Sequence, residues 1–290
     1  MNWKIIKHQS SGNCEKYLIQ VFSGHIIEVA AIKHNGLLHL CMPTQIGCAV
    51  HCKHCATTYS RCPFVDNLSY SELSSITEYF VKKYSSEKIA LSFSAHGEPL
   101  LNWHCISTIA EENQNKVYSI FVTTIGIVHI LDEIIQSKKR FTVLYFSVHG
   151  TNDNQRALLI PENTNFAKLK KIIEFTNEYV ISGGHVVWNY MVHSKNCSEQ
   201  DALALISLLR NINVNISLRL TPYVAITSEV DYNPSVMPAS ETEFSNFVDT
   251  LTNYYEEVPT VSFHISHIEG REINVACGQM RAHFLEENRK

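Results

Sequence analysis

Apolar and polar positions along this chain follow two periods. Short runs rich in β-branched and aromatic residues at 37–42, 89–94, 117–123, 141–147, 186–193 and 214–220 read as strands, and stretches of helical period follow them. Ser69-Tyr70-Ser71-Glu72 forms a capping box that opens a helix to about Tyr84, and Ser240-Glu241-Thr242-Glu243 opens another to about Tyr255. Strands alternating with helices imply parallel pairing through helical crossovers. Six such units predict an α/β fold, a partial (β/α)6 TIM-like barrel open on one side; a doubly wound sheet would give a similar pattern. Residues 17–22 and 25–32 predict a hairpin turning at Ser23-Gly24, a small antiparallel cap. The expected division is an N-terminal β extension over 1–36 and a barrel domain over 37–290.

At 290 residues, 45% hydrophobic and 18% charged, the chain can bury a large core. No run of eighteen apolar residues occurs, and the first residues hold neither an apolar segment nor a cleavage site, so a cytoplasmic, membrane-free monomer is expected. Nine cysteines without a secretory signal point to reduced thiols in metal or redox chemistry. A net charge of −4 gives no overall basic footprint for nucleic acid. Lys138-Lys139-Arg140, the group Lys168, Lys170 and Lys171, and Arg271, Arg281 and Arg289 read as solvated helix faces before phosphate contacts.

The chemistry concentrates in Cys48-Ala49-Val50-His51-Cys52-Lys53-His54-Cys55. A C-x3-C-x2-C nest can hold three corners of a [4Fe–4S] cluster, leaving one iron open. Such an iron can chelate S-adenosylmethionine (SAM) and deliver one electron to its sulfonium. Zinc held with His51 and His54 is the alternative, although no second cysteine pair follows at zinc-knuckle spacing.

Reading outward, Cys41-Met42-Pro43-Thr44-Gln45-Ile46-Gly47-Cys48, Gly97-Glu98-Pro99-Leu100-Leu101-Asn102, Thr123-Thr124-Ile125-Gly126-Ile127-Val128, Ser147-Val148-His149-Gly150-Thr151-Asn152-Asp153 and Ala276-Cys277-Gly278-Gln279 form a constellation. From about residue 17 to 284 the chain resembles the RlmN/Cfr family of radical SAM methyl synthases, which methylate adenosine carbons in RNA. The resemblance implies a [4Fe–4S] cluster on Cys48, Cys52 and Cys55, and SAM bound around Gly97, Glu98, Thr123, Ser147, Val148, His149 and Thr221. It implies a methyl-carrying Cys277, a resolving Cys41 that closes a transient disulfide with it, and Glu28 as general base. C2 or C8 of an adenine in rRNA or tRNA would be the target, with a flavodoxin-type electron donor.

The chemistry explains the two thiols. An adenine C2 or C8 is not nucleophilic, so polar transfer from SAM fails, whereas a carbon radical adds to an amidine carbon. Departures from the family pattern are Thr221 in place of Asn, Ala95-His96 in place of Gly-Met, and His54 in place of an aromatic. An N-terminal helical accessory domain is also expected to be missing, with only about forty residues before Cys41. These departures keep two further readings open: the same chemistry on a free nucleotide or small molecule, and a non-catalytic iron–sulfur or zinc regulator. Taken singly, Glu28 reads as an exposed strand carboxylate, and Cys14, Cys62, Cys105 and Cys197 as structural.

Overall fold

The computed structural model describes residues 3–59, 64–137, 142–225, 236–266, 280–281 and 284–285. Cys62, Lys138-Lys139-Arg140, Arg271, Ala276-Cys277-Gly278-Gln279 and Arg289 lie outside them. The strands are β1 (Lys4–Ser11), β2 (Cys14–Gln20), β3 (Ile26–His34), β4 (Leu37–Met42), β5 (Gln45–Ile46), β6 (Asp66–Asn67), β7 (Ile89–Phe93), β8 (Ser119–Thr124), β9 (Val143–Ser147), β10 (His185–Val192), β11 (Ile216–Pro222) and β12 (Val261–Ile265). The helices are α1 (Ala56–Tyr59), α2 (Tyr70–Lys83), α3 (Trp103–Asn113), α4 (Val128–Ser137), α5 (Asp153–Arg156), α6 (Leu169–Ile181), α7 (Glu199–Leu209) and α8 (Glu241–Asn253).

Ten strands form one sheet in the order β1-β2-β3-β4-β7-β8-β9-β10-β11-β12. From β4 onward every pairing is parallel, and β1 to β4 pair antiparallel. The fold is thus the expected open α/β array, with no closure between its first and last strands among the described residues. The expected hairpin is β2–β3, and β1 adds an unforeseen outer strand. β12 adds a seventh parallel strand that the sequence pattern did not mark.

Local chemistry sets the helix starts. Ser69 and Glu72 cap α2 reciprocally, and Ser240 and Glu243 cap α8, at the expected positions. Ser198 and Asp201 do the same for α7. Along β4, β8, β9 and β10, fully buried residues alternate with half-buried ones. The buried set, including Leu40, Val122, Phe146 and Trp188, belongs to the main hydrophobic core. The half-buried set is the opposite face of the sheet, and carries Cys41, Phe121, Thr123, Tyr145, Ser147 and Asn189.

Candidate functional site

The carboxyl end of β4 leads directly into the cysteine loop. β5 pairs with β6, closing residues 47–65 into a lasso that holds all three cysteines. Gly47 and His51 take positive φ, 83° and 58°, so the loop turns sharply twice. The Cys52 carbonyl accepts from the Cys55 N–H at 3.1 Å and from Thr58 Oγ1 at 2.8 Å. Lys53 clips the loop to the segment after β9, through its N–H to the Leu159 carbonyl at 2.8 Å and its ammonium to the Ala157 carbonyl at 3.0 Å.

The three thiols are free and sit close enough to repel one another as thiolates. Burial, then the neighbouring Cys55, pushes Cys48 up to about 12. Burial likewise raises Cys52 well above the ordinary thiol range, with Cys55 and Cys48 adding to it. Cys55 is raised by burial and partly relieved by bonds from Thr57 and Thr58. Backbone N–H groups of Val50 and His51 point at the Cys48 sulfur. Buried thiols, two of them met by N–H donors, suit a cationic multi-iron cluster that draws off their protons; among the described residues no three such ligands converge on a single metal ion.

The next loop over, after β7, lies against this one. The Ala95 N–H donates to the Met42 carbonyl at 3.2 Å, and the Thr44 N–H to the His96 carbonyl at 3.0 Å. Gly97 has φ of 101°, and a Cβ there would stand 2.5 Å from Thr44 Oγ1 and 2.7 Å from the Gln45 nitrogen. Only glycine fits so close an approach. The Glu98 N–H donates to Gln45 Oε1 at 3.1 Å. Its carboxylate accepts from Leu100 N–H at 2.9 Å, Thr124 Oγ1 at 2.5 Å and Ile125 N–H at 3.0 Å. Burial raises the Glu98 carboxyl despite those bonds. Its side chain is committed to the scaffold, so contacts with a ligand fall to the backbone here.

Thr123, Ser147, Val148, His149 and Thr221 stand at or just beyond the carboxyl ends of β8, β9 and β11, on the same rim as Gly97. His149 adopts φ of 53°, and its Nδ1 accepts from the Met191 N–H at 3.1 Å, which puts the ring proton on Nε2. Burial, with the adjoining His54, pushes His149 well below the ordinary imidazole range. The His54 ring meets it edge-on at 5.6 Å between centroids. Beneath this rim Arg156 is buried and donates to three carbonyls: Ser147 at 3.3 Å, Ala167 at 3.0 Å and Ile125 at 2.6 Å.

A second group forms on the half-buried face near the antiparallel edge. Glu28, expected to be exposed when read alone, is 1% exposed and pairs with the equally buried Lys16 at 3.1 Å. The strand register explains the pairing, because Lys16 opposes Ala30, Ala30 opposes Cys41, and Glu28 lies two residues from Ala30 on the same face. Burial raises the Cys41 thiol, offset by a bond with Ser94 and by the charges of Lys16 and Arg219. The Arg281 backbone N–H donates to Glu28 Oε2 at 3.0 Å. Lys16, Gln45, Arg156 and Arg219 escaped the sequence reading. The hairpin register would have found Lys16; nothing local marks the other three.

Residues 42–209 match the Radical SAM superfamily, so the parallel sheet and its cysteine lasso define a radical SAM enzyme. A protein of Trichodesmium erythraeum, named probable dual-specificity RNA methyltransferase RlmN, is 31% identical over 277 residues, 92% of this chain and 74% of that one. One of the same name from Thermosipho melanesiensis is 29% identical over 280 residues, 93% of this chain and 77% of that one. A radical SAM methyltransferase from Sphaerobacter thermophilus shares the fold, with a TM-score of 0.82 at 22% identity over 97% of this chain and 82% of that structure. The chain belongs to the RlmN family of the radical SAM superfamily. It therefore uses a [4Fe–4S] cluster and SAM.

Proposed function

We propose that this enzyme methylates C2 or C8 of an adenine in ribosomal or transfer RNA through a methyl group carried on Cys277. The observation that carries the reading is the Glu28 carboxylate. It is buried beside Cys41, paired with Lys16, and bound by the backbone of Arg281, four residues beyond Cys277. That bond ties a residue close in sequence to the expected methyl-carrying thiol to the expected base. The names of the RlmN relatives supply RNA as the substrate class.

In this proposal Cys48, Cys52 and Cys55 hold the cluster, with Gly97, Glu98, Thr123, Ser147, Val148, His149 and Thr221 around SAM. When bound, cluster and SAM supply a carbon radical that takes a hydrogen atom from the S-methyl group of Cys277. The resulting methylene carbon forms a C–C bond to the adenine carbon, tethering base to protein. Glu28 accepts the proton lost from that adenine carbon, the adduct's unpaired electron leaves to a one-electron acceptor of the iron–sulfur class, and Lys16 holds the carboxylate in place. Cys41 attacks the Cys277 sulfur, the sulfur–methylene bond breaks toward the base, and the two cysteines are left as a disulfide for an external dithiol to reduce. A flavodoxin-type protein in the cytoplasm provides the electron for the cluster. Among the described residues no helix is long and apolar enough to cross a membrane.

The test is Cys41→Ala, which removes the resolving thiol. After nuclease and protease digestion, the Cys277 peptide is expected to carry an adenosine joined through a methylene bridge. A peptide bearing methyl alone, in enzyme supplied with RNA, SAM and reductant, would overturn the RNA reading.

A further inference from the structure

His96 is a buried polar side chain that the chemistry above leaves unused. It is 2% exposed, and neither ring nitrogen has a hydrogen-bond partner. Leaving one such group unpaired costs about 1–3 kcal/mol, so a fold that keeps an imidazole here holds it for something else. The methionine that the family resemblance leads one to expect at this position would carry no such cost.

The backbone fixes where His96 sits. Its carbonyl accepts from the Thr44 N–H at 3.0 Å, and its neighbours bind the end of β4 and crowd Thr44 through Gly97. The loop therefore runs beside Cys41-Met42-Pro43-Thr44. Lys16 is the common neighbour: it pairs with Glu28 at 3.1 Å, and its charge acts on both Cys41 and His96. Arg281 acts on His96 as well. His96 thus shares Lys16 as a neighbour with the proposed base and resolving thiol. Burial, with those two cations, pushes its pKa well below the ordinary range, so the ring is neutral, with one N–H to give and one lone pair.

We propose that His96 recognises the substrate adenine, its free ring N–H donating to the adenine nitrogen that flanks the carbon being methylated. The proposal rests on the RNA reading above. Each candidate carbon has such a nitrogen: N1 or N3 beside C2, and N7 beside C8. A hydrogen bond to that nitrogen draws electron density from the C=N bond and favours attack by an electron-rich methylene radical. In the step the C–C bond forms, the C=N π bond breaks, and the unpaired electron passes into the ring. The nitrogen that gains density is the one His96 already holds, and His96 keeps its proton.

The test uses cluster-loaded wild type, His96→Met and His96→Gln, with dithionite as reductant, SAM, and total RNA from cells lacking the enzyme. It reads 5′-deoxyadenosine released per methyl group transferred, beside the S-methyl content of Cys277. His96→Met is expected to hold its iron and its S-methyl group but to release about tenfold more 5′-deoxyadenosine per methyl, since one lost hydrogen bond of about 1.4 kcal/mol is tenfold. His96→Gln, which retains an N–H donor, should return to within about threefold of wild type. An unchanged ratio in His96→Met overturns the assignment while wild-type methylation of RNA stands. Loss of S-methylation in both variants overturns it too, by placing His96 with SAM. Wild type that carries S-methyl-Cys277 yet methylates no RNA overturns the RNA reading, and this inference with it.

Discussion

Arg156 is expected to hold the rim of the site together, and Arg156→Met measures by how much. Its guanidinium binds the carbonyls of Ile125, Ser147 and Ala167, which belong to three separate segments beneath the expected SAM contacts. Two opposing effects set the magnitude. Burial pushes the guanidinium down to about 10, which handicaps the charged form by about 3 kcal/mol at about 1.4 kcal/mol per tenfold. Three charge-assisted bonds, one of them long, return about 4–6 kcal/mol, and their removal also leaves carbonyls unpaired. The net loss in Arg156→Met should be about 1–3 kcal/mol. With an m-value near 3 kcal/mol/M, the urea midpoint then falls by about 0.3–1 M in anaerobic unfolding. Arg156→Lys, keeping the charge and about one bond, should fall between. Weaker SAM binding, measured by calorimetry, should accompany the loss in Arg156→Met. A midpoint equal to or above wild type would refute the reasoning, because it would mean that desolvation outweighs the three bonds.

Gly97→Ala combines a φ of 101° with a Cβ 2.5 Å from Thr44 Oγ1, so it should cost about 2–4 kcal/mol and lower SAM affinity while iron content holds; normal SAM affinity would argue against the close approach. Lys16→Met removes the cation paired with the buried Glu28 carboxylate and should cost about 3–5 kcal/mol, whereas Lys16→Met with Glu28→Gln should recover much of that. A double variant no more stable than the single would show that the pair is not coupled. For pH, His96 titrates well below the ordinary imidazole range in the folded chain, so the unfolded chain binds the extra proton as pH falls. Stability from this residue is then fully present above about pH 6.5 and lost below it, at up to about 1.4 kcal/mol per pH unit. Between pH 7 and 5 the urea midpoint of wild type should fall further than that of His96→Met, and parallel curves would contradict the depressed pKa.

Much of this was legible because periodicity reports which face of an element is buried. Six parallel strands stood out by their apolar runs. β12 did not, since Val261-Ser262-Phe263-His264-Ile265 mixes polar residues on a strand that, among the described residues, pairs with β11 alone. The cysteine nest stood out by its spacing and Gly97 by its motif, whereas the short β5–β6 pairing that closes the loop did not. Thr124 was not: Thr123 was named as the functional hydroxyl, and the residue that binds Glu98 is one step along, on the opposite face. A strand turns over at every residue, so a motif fixes position more sharply than it fixes facing. Arg156 was invisible for another reason. Its partners are backbone carbonyls, which leave no trace in residue identity.

The bond from Arg281 to Glu28 joins positions 253 residues apart, and Cys48, Cys52 and Cys55 all lie within the first fifth of the chain. During synthesis the cluster lasso and most of the sheet emerge long before the segment that closes on Glu28. On the methyl-cysteine reading proposed above, the cluster ligands are encoded early, and the group that gives the radical a destination follows more than two hundred residues later. On that reading, a ribosome-stalled or proteolysed chain ending before residue 277 would keep the generator and lose the acceptor. Such a chain should burn SAM without product, which makes an intact segment around residue 277 a matter of cellular economy as much as of catalysis.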